Sequence, residues 1–215
     1  MKTICFLFAA LLGTCALAQQ TTPIPPLPKI DAAAVLTKAA TERPHVLFVN
    51  VGRAIDEALF REAVAAVALV EPINLGVAEM KNLDGLNPLA RDDWNKRFSR
   101  QAKLVVYVAN KPDLVSYLNA PGRWALINLN GLDKNLPKDD PERYRRRLRQ
   151  MMLKGLAQAC GVGANFERRC VMFQESFTAE GLDQTSVSYS PFAWGPLQDR
   201  LLAAGGQEIM QPAQE

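Results

Sequence analysis

Hydrophobic and polar positions along the chain follow two alternating patterns. Short continuous apolar runs indicate buried strands, whereas apolar residues spaced three and four apart indicate amphipathic helices. The two patterns alternate from residue 45 onwards, which favours an α/β layer with right-handed crossovers. The predicted strands are 45–52, 73–81, 103–111 and 124–133, with a weaker edge strand at 113–118. The predicted helices are 31–44, 54–72, 94–102, 141–161 and 191–205, the last with a break near Gly195-Pro196.

These elements predict a single α/β (α+β) domain over residues 31–215. In it, a twisted mixed sheet with an edge strand packs on the long helix 141–161. A chain of 215 residues, of which 48% are hydrophobic, can build one core but is too short for two domains of ordinary size. The formal charge of +3 is too small to suggest nucleic-acid binding. The oligomeric state stays open.

The N-terminus has the pattern of a secretory signal peptide covering residues 1–18. A positive start is followed by an apolar stretch, and Ala16-Leu17-Ala18 forms an A-x-A cleavage site before Gln19. A lipoprotein anchored through Cys15 is the less favoured alternative, because the residue before that cysteine suits lipoprotein processing poorly. The chain is therefore predicted to be exported, with cleavage near Ala18-Gln19.

Residues 19–30 contain four prolines and no core-building period, which predicts an extended, proline-rich leader. No later segment is long and apolar enough to cross a bilayer. The mature product is therefore predicted to be periplasmic or secreted.

The longest helix signal lies at 141–161. Pro141 fits a first helical turn and Gly161 fits a C-terminal stop. The arginines of this helix allow two interpretations: they bind an anionic ligand, or they form a solvated helix face. The small net charge favours the second. The apolar face predicted at helical spacing comprises Tyr144, Leu148, Met151, Met152, Gly155 and Ala159. The basic run comprises Arg143, Arg145, Arg146, Arg147 and Arg149.

Three stretches together resemble a known family. "WALINLNGLDKN" (124–135) is similar to a strand before an active-site helix, and "RRRLRQMMLKGLAQACGVGA" (145–164) to that helix and its glycine turn. "CVMFQESFTAEGLD" (170–183) is similar to a Cys-Val-Met turn. The order and details resemble the archaemetzincins, zinc metalloproteases of the metzincin type, over roughly residues 45–200. The resemblance implies a metzincin-like fold.

The metzincin zinc motif is H-E-x-x-H-x-x-G-x-x-H, with three His ligands and a Glu general base. Aligned on Gly161, the ligand positions hold Lys154, Gln158 and Ala164, and the general-base position holds Gly155. An ammonium group repels a dication, an amide is a poor ligand and alanine has no donor atom. The resemblance therefore implies a zinc-protease scaffold with a degenerate motif, without zinc or another cofactor.

The Met-turn of the family is matched by Cys170 and Met172. Archaemetzincins also hold a structural zinc on four cysteines, but Asn165 replaces one of these and the C-terminal pair is absent here. Removing the signal peptide leaves only Cys160 and Cys170, in an oxidising compartment. A Cys160–Cys170 disulfide is therefore predicted in place of the structural zinc, with two buried thiols as the alternative.

The resemblance also places Arg147, Lys154 and Gln158 along the former substrate cleft. They could line a groove that binds a peptide or a carboxylate, with the edge strand forming backbone hydrogen bonds to the ligand. The other interpretation is a degenerate site that binds no ligand. Lys154 would act as nucleophile or general base only if burial lowered its pKa. Ser176 would need a base, and the only imidazole, His45, is expected to be remote from it.

The sequence thus favours a catalytically inactive, exported pseudo-metalloprotease that binds a peptide or envelope protein. Two alternatives stay open: a hydrolase with non-zinc chemistry rebuilt around Lys154, and a structural envelope protein. The degenerate motif weighs against an enzyme.

Overall fold

The computed structural model describes residues 30–41, 44–70, 73–82, 98, 100–112, 114, 117–118, 123–136 and 140–203. The predicted signal peptide and residues 19–29 of the leader lie outside these ranges, as does most of the predicted helix 94–102. Within them, no helix is both long and apolar enough to cross a membrane.

A mixed five-stranded sheet forms the centre of the described part of the chain. Its order is β2-β1-β3-β5-β4, with β2, β1, β3 and β5 parallel and β4 antiparallel at the edge. The mixed sheet with an edge strand, predicted from the sequence, is confirmed. The strands are β1 (Val46–Val51), β2 (Leu75–Met80), β3 (Leu104–Ala109), β4 (Tyr117–Leu118) and β5 (Trp124–Asn128).

The helices begin at the polar caps that the sequence provides. Asp31 Oδ1 accepts the Ala33 and Ala34 N–H groups, and Asp140 Oδ1 accepts the Arg143 N–H, so each satisfies amides of a first turn. The helices are α1 (Ala32–Thr41), α2 (Glu57–Val70), α3 (Pro141–Ala159), α4 (Ala179–Asp183) and α5 (Pro191–Ala203), with a 3-10 turn at Gln174–Phe177.

Helix α5 does not break at Gly195-Pro196, contrary to the sequence prediction. It continues through Pro196 to Ala203. Proline removes a single intrahelical bond, the one to the carbonyl of Phe192, and Phe192 is 75% exposed. Packing of the buried Trp194, Leu197 and Leu201 therefore outweighs the local preference for a break.

The sheet is covered on both faces. Val46, Phe48, Val106 and Val108 face the main core formed with the helices, while residues such as Leu47 and Tyr107 face a second, smaller cluster. All six residues of β1 and of β3 are buried. Double coverage explains why these strands appear in the sequence as continuous apolar runs rather than alternating ones.

Helix α3 is buried on all sides from Arg147 to Ala159. It contacts α2, β3, β5 and α4, so its polar residues also lie inside the protein. The apolar face predicted from helical spacing therefore covers only part of the buried surface of this helix. The solvated-face interpretation of the basic run is wrong for Arg147 and Arg149, which are both buried. Arg147 is covered by α4, and Arg149 lies on the side of the helix that packs against α2.

Candidate functional site

The end of α3 is formed by the predicted glycine stop. Gly161 has φ +77°, the left-handed conformation that glycine adopts without strain. Its N–H donates to Gln158 O at 2.9 Å, and the Val162 N–H donates to Ala157 O at 2.9 Å. This pair of hydrogen bonds is the Schellman motif. It turns the chain away from the helix axis toward Asn165.

The Cys-Val-Met corner packs against the end of this turn. Cys170, Val171 and Met172 are fully buried. The Asn165 N–H donates to Met172 O at 2.9 Å, and the Gln174 N–H returns a bond to Asn165 O at 2.9 Å. The corner is thus fixed beside the glycine turn, which is the relation between these segments that the sequence predicts.

Lys154 points into this corner rather than into solvent. Its side chain is fully buried, and Nζ donates to Val171 O at 2.5 Å and to Ser176 Oγ at 2.5 Å. Burial lowers the pKa of Lys154 from 10.5 to about 7, although the nearby Cys170 acts in the opposite direction. The condition that the sequence set for chemistry at Lys154, burial with a lowered pKa, is therefore met.

Ser176, for which the sequence offered only His45 as a base, is the polar partner of Lys154. It is fully buried in the 3-10 turn, and its Oγ donates to Phe173 O at 2.5 Å while accepting from Lys154. His45 lies elsewhere, at the start of β1, where its Nδ1 accepts the Asn74 N–H. The only sequence signal for the pair is Lys154 itself, a charged residue within a stretch of α3 that is otherwise almost entirely apolar.

The general-base position leaves no room for a side chain. A Cβ built on Gly155 would lie 2.6 Å from Val106 Cγ1 and 3.3 Å from Ile127 Cγ2. Glycine therefore lets α3 approach β3 and β5 more closely than any other residue would allow. A glutamate at this position would collide with the sheet.

The residues at the positions that the resemblance assigns to zinc ligands do not fit a zinc ion. A zinc site needs at least three protein ligand atoms around one point, yet Ala164 is exposed and has no donor atom, and Lys154 Nζ lies against Val171 O and Ser176 Oγ. Gln158 is buried, and its Oε1 has no hydrogen-bond partner within the described part of the chain. Across the described residues, no group of three or more His, Cys, Asp or Glu side chains is placed to hold a metal ion.

The predicted Cys160–Cys170 disulfide does not form. Both sulfurs are buried thiols, Cys160 at the end of α3 and Cys170 in the corner. Cys170 Sγ instead faces three N–H donors: Asn165 Nδ2 at 3.1 Å, Ser190 N at 3.3 Å and Met172 N at 3.4 Å. Asn165 stands where the family has a cysteine, so a hydrogen bond joins two positions that the resemblance assigns to a structural zinc.

Arg147 does not line a groove, contrary to the sequence interpretation. It is 1% exposed, and its Nε and Nη2 form a bidentate pair with Asp183 at 2.8 and 2.6 Å. Its Nη1 donates to the carbonyls of Leu132 and Lys134, each at 2.7 Å. The hydrogen bond to Asp183 raises the pKa of Arg147 above its ordinary value. Arg147 therefore ties α3 to the turn after β5 and to α4.

The comparisons with known proteins support the fold. No protein-family model matches the chain, and no curated protein matches it significantly. Archaemetzincin from Methanopyrus kandleri has a TM-score of 0.56 at 18% identity, over 73% of this chain and 94% of that chain. A zinc-dependent peptidase from Methanocorpusculum labreanum (strain Z) has a TM-score of 0.56 at 14% identity, over 71% and 99%. The predicted α/β domain therefore has an archaemetzincin-like fold.

Proposed function

We propose that this chain is an exported, non-catalytic metzincin-like protein that binds peptides without cleaving them. The observation that carries the proposal is the position of Lys154. From the place of the first zinc ligand, its amine donates to Val171 O and Ser176 Oγ and links α3 to the Met-turn. A buried, hydrogen-bonded amine thus occupies the position at which the resemblance places the first zinc ligand.

The other motif positions support the same conclusion. Gly155 has no carboxylate to act as general base, and the contact with Val106 excludes one. Ala164 has no ligand atom, and the amide of Gln158 is a poor substitute for an imidazole. Activation of water by zinc requires several ligands together, so restoring one of these positions would not restore the chemistry.

The edge of the sheet supports peptide binding. β4 is the last strand of the sheet and pairs with β5 on one side. An extended peptide adds to such an edge through main-chain hydrogen bonds, with little demand on side-chain chemistry. The signal-peptide pattern of residues 1–18 supports a partner outside the cytoplasm, either a peptide or an envelope protein.

Protein purified from its native source is expected to begin near Gln19, to contain no stoichiometric zinc and to retain casein-derived peptides intact. Mass spectrometry, elemental analysis and a peptide-retention assay measure these three properties. One tightly held zinc per chain, or zinc-dependent cleavage, would contradict the proposal. A protein that neither retains nor cleaves peptides would favour a structural role in the envelope.

A second candidate function is hydrolysis by a Ser176–Lys154 pair. The observation that favours it is the 2.5 Å distance between Nζ and Oγ, together with a lysine pKa of about 7. A neutral amine at this distance can accept the serine proton and activate the hydroxyl. Because both side chains are fully buried, the corner would have to open before a substrate reached Oγ.

If the pair is catalytic, a fluorophosphonate probe is expected to label wild-type protein, and labelling should increase as the pH rises above 7. Ser176→Ala and Lys154→Met should both abolish labelling, since one removes the nucleophile and the other its base. Exposed Ser188 provides the matched control, and Ser188→Ala should react like wild type. Absence of labelling of the native protein above neutral pH would exclude this candidate.

A further inference from the structure

Strand β2 forms one edge of the sheet, and its outer side has no partner strand. It pairs with β1 over Leu75–Met80 in a continuous register without a bulge. Within the described part of the chain, no further strand lies beyond it. Residues 76–78 are half-buried and Glu79 is exposed, whereas all residues of β1 and β3 are buried. The outer side of β2 is therefore open to a partner.

The main chain of β2 presents unpaired hydrogen-bonding groups on that side. Met80 O accepts the Gly52 N–H at 2.7 Å, so the even-numbered residues of β2 direct their main-chain groups toward β1. Alternate residues of a strand direct these groups to opposite sides. The N–H and C=O groups of Leu75, Val77 and Glu79 therefore point away from β1, and they form no hydrogen bond within the described ranges.

This edge lacks the features that prevent strands from pairing with other chains. Natural proteins protect edge strands with proline, a bulge, a central charge or a covering element. β2 has no proline and no bulge, and its only charged residue, Glu79, lies near its end. An unprotected edge of this length is a template for one more strand.

The sequence of β2 suits antiparallel pairing with itself, centred on Val77. In this register Val77 faces its own copy, and a pair of β-branched side chains is favourable there. Gly76 lies opposite Ala78, so small residues occupy the closely spaced pairs between the hydrogen-bonded ones. Glu79 lies opposite Leu75, and the two Glu79 residues are about 14 Å apart along the strands, so no like charges oppose each other.

We propose that β2 pairs antiparallel with β2 of a second copy of this chain, with Val77 on the twofold axis, and joins the two sheets into one. Such a dimer is closed, so both unprotected edges are paired at once and no edge of this kind remains. A peptide would protect the edge only while it was bound. The dimer leaves the β4 edge free, at the other side of the sheet, and does not depend on the proposed peptide binding.

Analytical ultracentrifugation of the intact protein should show a dimer that dissociates on dilution. Val77→Pro removes the N–H at the centre of the pairing, and an edge strand tolerates proline where its N–H points outward. The variant should keep the circular dichroism of wild type and raise the dimer dissociation constant at least about tenfold. A protein that is monomeric at every concentration, whether or not it binds added peptides at this edge, would overturn the proposal. A folded Val77→Pro variant that dimerises like wild type would do the same.

Cysteine crosslinking tests the register, in a Cys5→Ser/Cys15→Ser background that retains the two buried thiols. The Cα atoms of a hydrogen-bonded antiparallel pair lie about 5.5 Å apart, within the range that a disulfide needs. Val77→Cys should therefore form an interchain disulfide under mild oxidation. Glu79→Cys is the matched control on the same face of the same strand, and its copies, about 14 Å apart, should not crosslink. Equal crosslinking of the two variants, or none of Val77→Cys, would overturn the proposed pairing.

Discussion

Lys154→Met is expected to remove a strong pH dependence from the stability of this protein. Methionine matches the length of lysine and fills the same space without a charge. The pKa of Lys154 is about 7 in the folded protein and 10.5 for an exposed lysine, so the folded state holds its proton less tightly than the unfolded state. A difference of this size corresponds to about 5 kcal/mol.

The sign of the effect follows from where the proton resides. Below about pH 7 both states are protonated, and the destabilisation caused by the buried charge is fully present. Between pH 7 and 10.5 the unfolded state holds one proton more, so stability rises with pH. Above 10.5 the destabilisation has disappeared.

Urea denaturation of wild type and Lys154→Met at successive pH values measures this contribution. Between roughly pH 7 and 9, the stability of wild type relative to the variant should increase by about 2 kcal/mol. Other titrating groups cancel in the difference. Lys103→Met, which removes an exposed lysine, is measured alongside as the control. A pH dependence of Lys154→Met no larger than that of Lys103→Met would show that the amine is not held in the buried corner.

Asp183→Ala is expected to be strongly destabilising, and it acts at Arg147, two turns before Lys154 on the same face of α3. Asp183 is the carboxylate that pairs with Arg147, and Arg147 is 1% exposed. Loss of the carboxylate leaves a buried guanidinium with only the carbonyls of Leu132 and Lys134. Breaking a buried pair in this way lowers the free energy of unfolding by about 3–5 kcal/mol, as chemical denaturation would measure.

Glu142→Ala provides the matched control for Asp183→Ala. It breaks the Arg145–Glu142 pair on the same helix, where the side chains are 40% and 50% exposed, and should cost less than about 1 kcal/mol. Arg147→Met/Asp183→Ala should recover part of the loss, since no buried charge remains. Equal costs for Asp183→Ala and Glu142→Ala would contradict the structural role of Arg147.

The sequence predicted those features of the fold that depend on local pattern. Continuous apolar runs located the strands. Pro141 located the start of α3, and Gly161 located its end, because the chain adopts a left-handed backbone conformation there that favours glycine. Predicting the relation between the glycine turn and Met172 needed the family resemblance as well.

The missed features all depend on which residues meet in three dimensions. The pairing of Lys154 with Ser176 joins residues on separate elements, and nothing near either residue in the sequence specifies it. Arg147 is buried because α4, which ends at Asp183, packs over it, and Asp183 lies 36 residues later in the sequence. The disulfide prediction rested on an oxidising compartment and on a pair of cysteines, and neither fixes the direction of a side chain: Cys170 Sγ faces Asn165 and Ser190.

The contact between Gly155 and Val106 has a consequence for engineering this protein. Any side chain introduced at position 155 would place its Cβ 2.6 Å from Val106 Cγ1, so a glutamate there would meet the sheet at once. Val106 or the helix would have to move first. A glutamate therefore cannot be installed at this point of the helix by a single replacement, and the facing strand would have to be redesigned together with it.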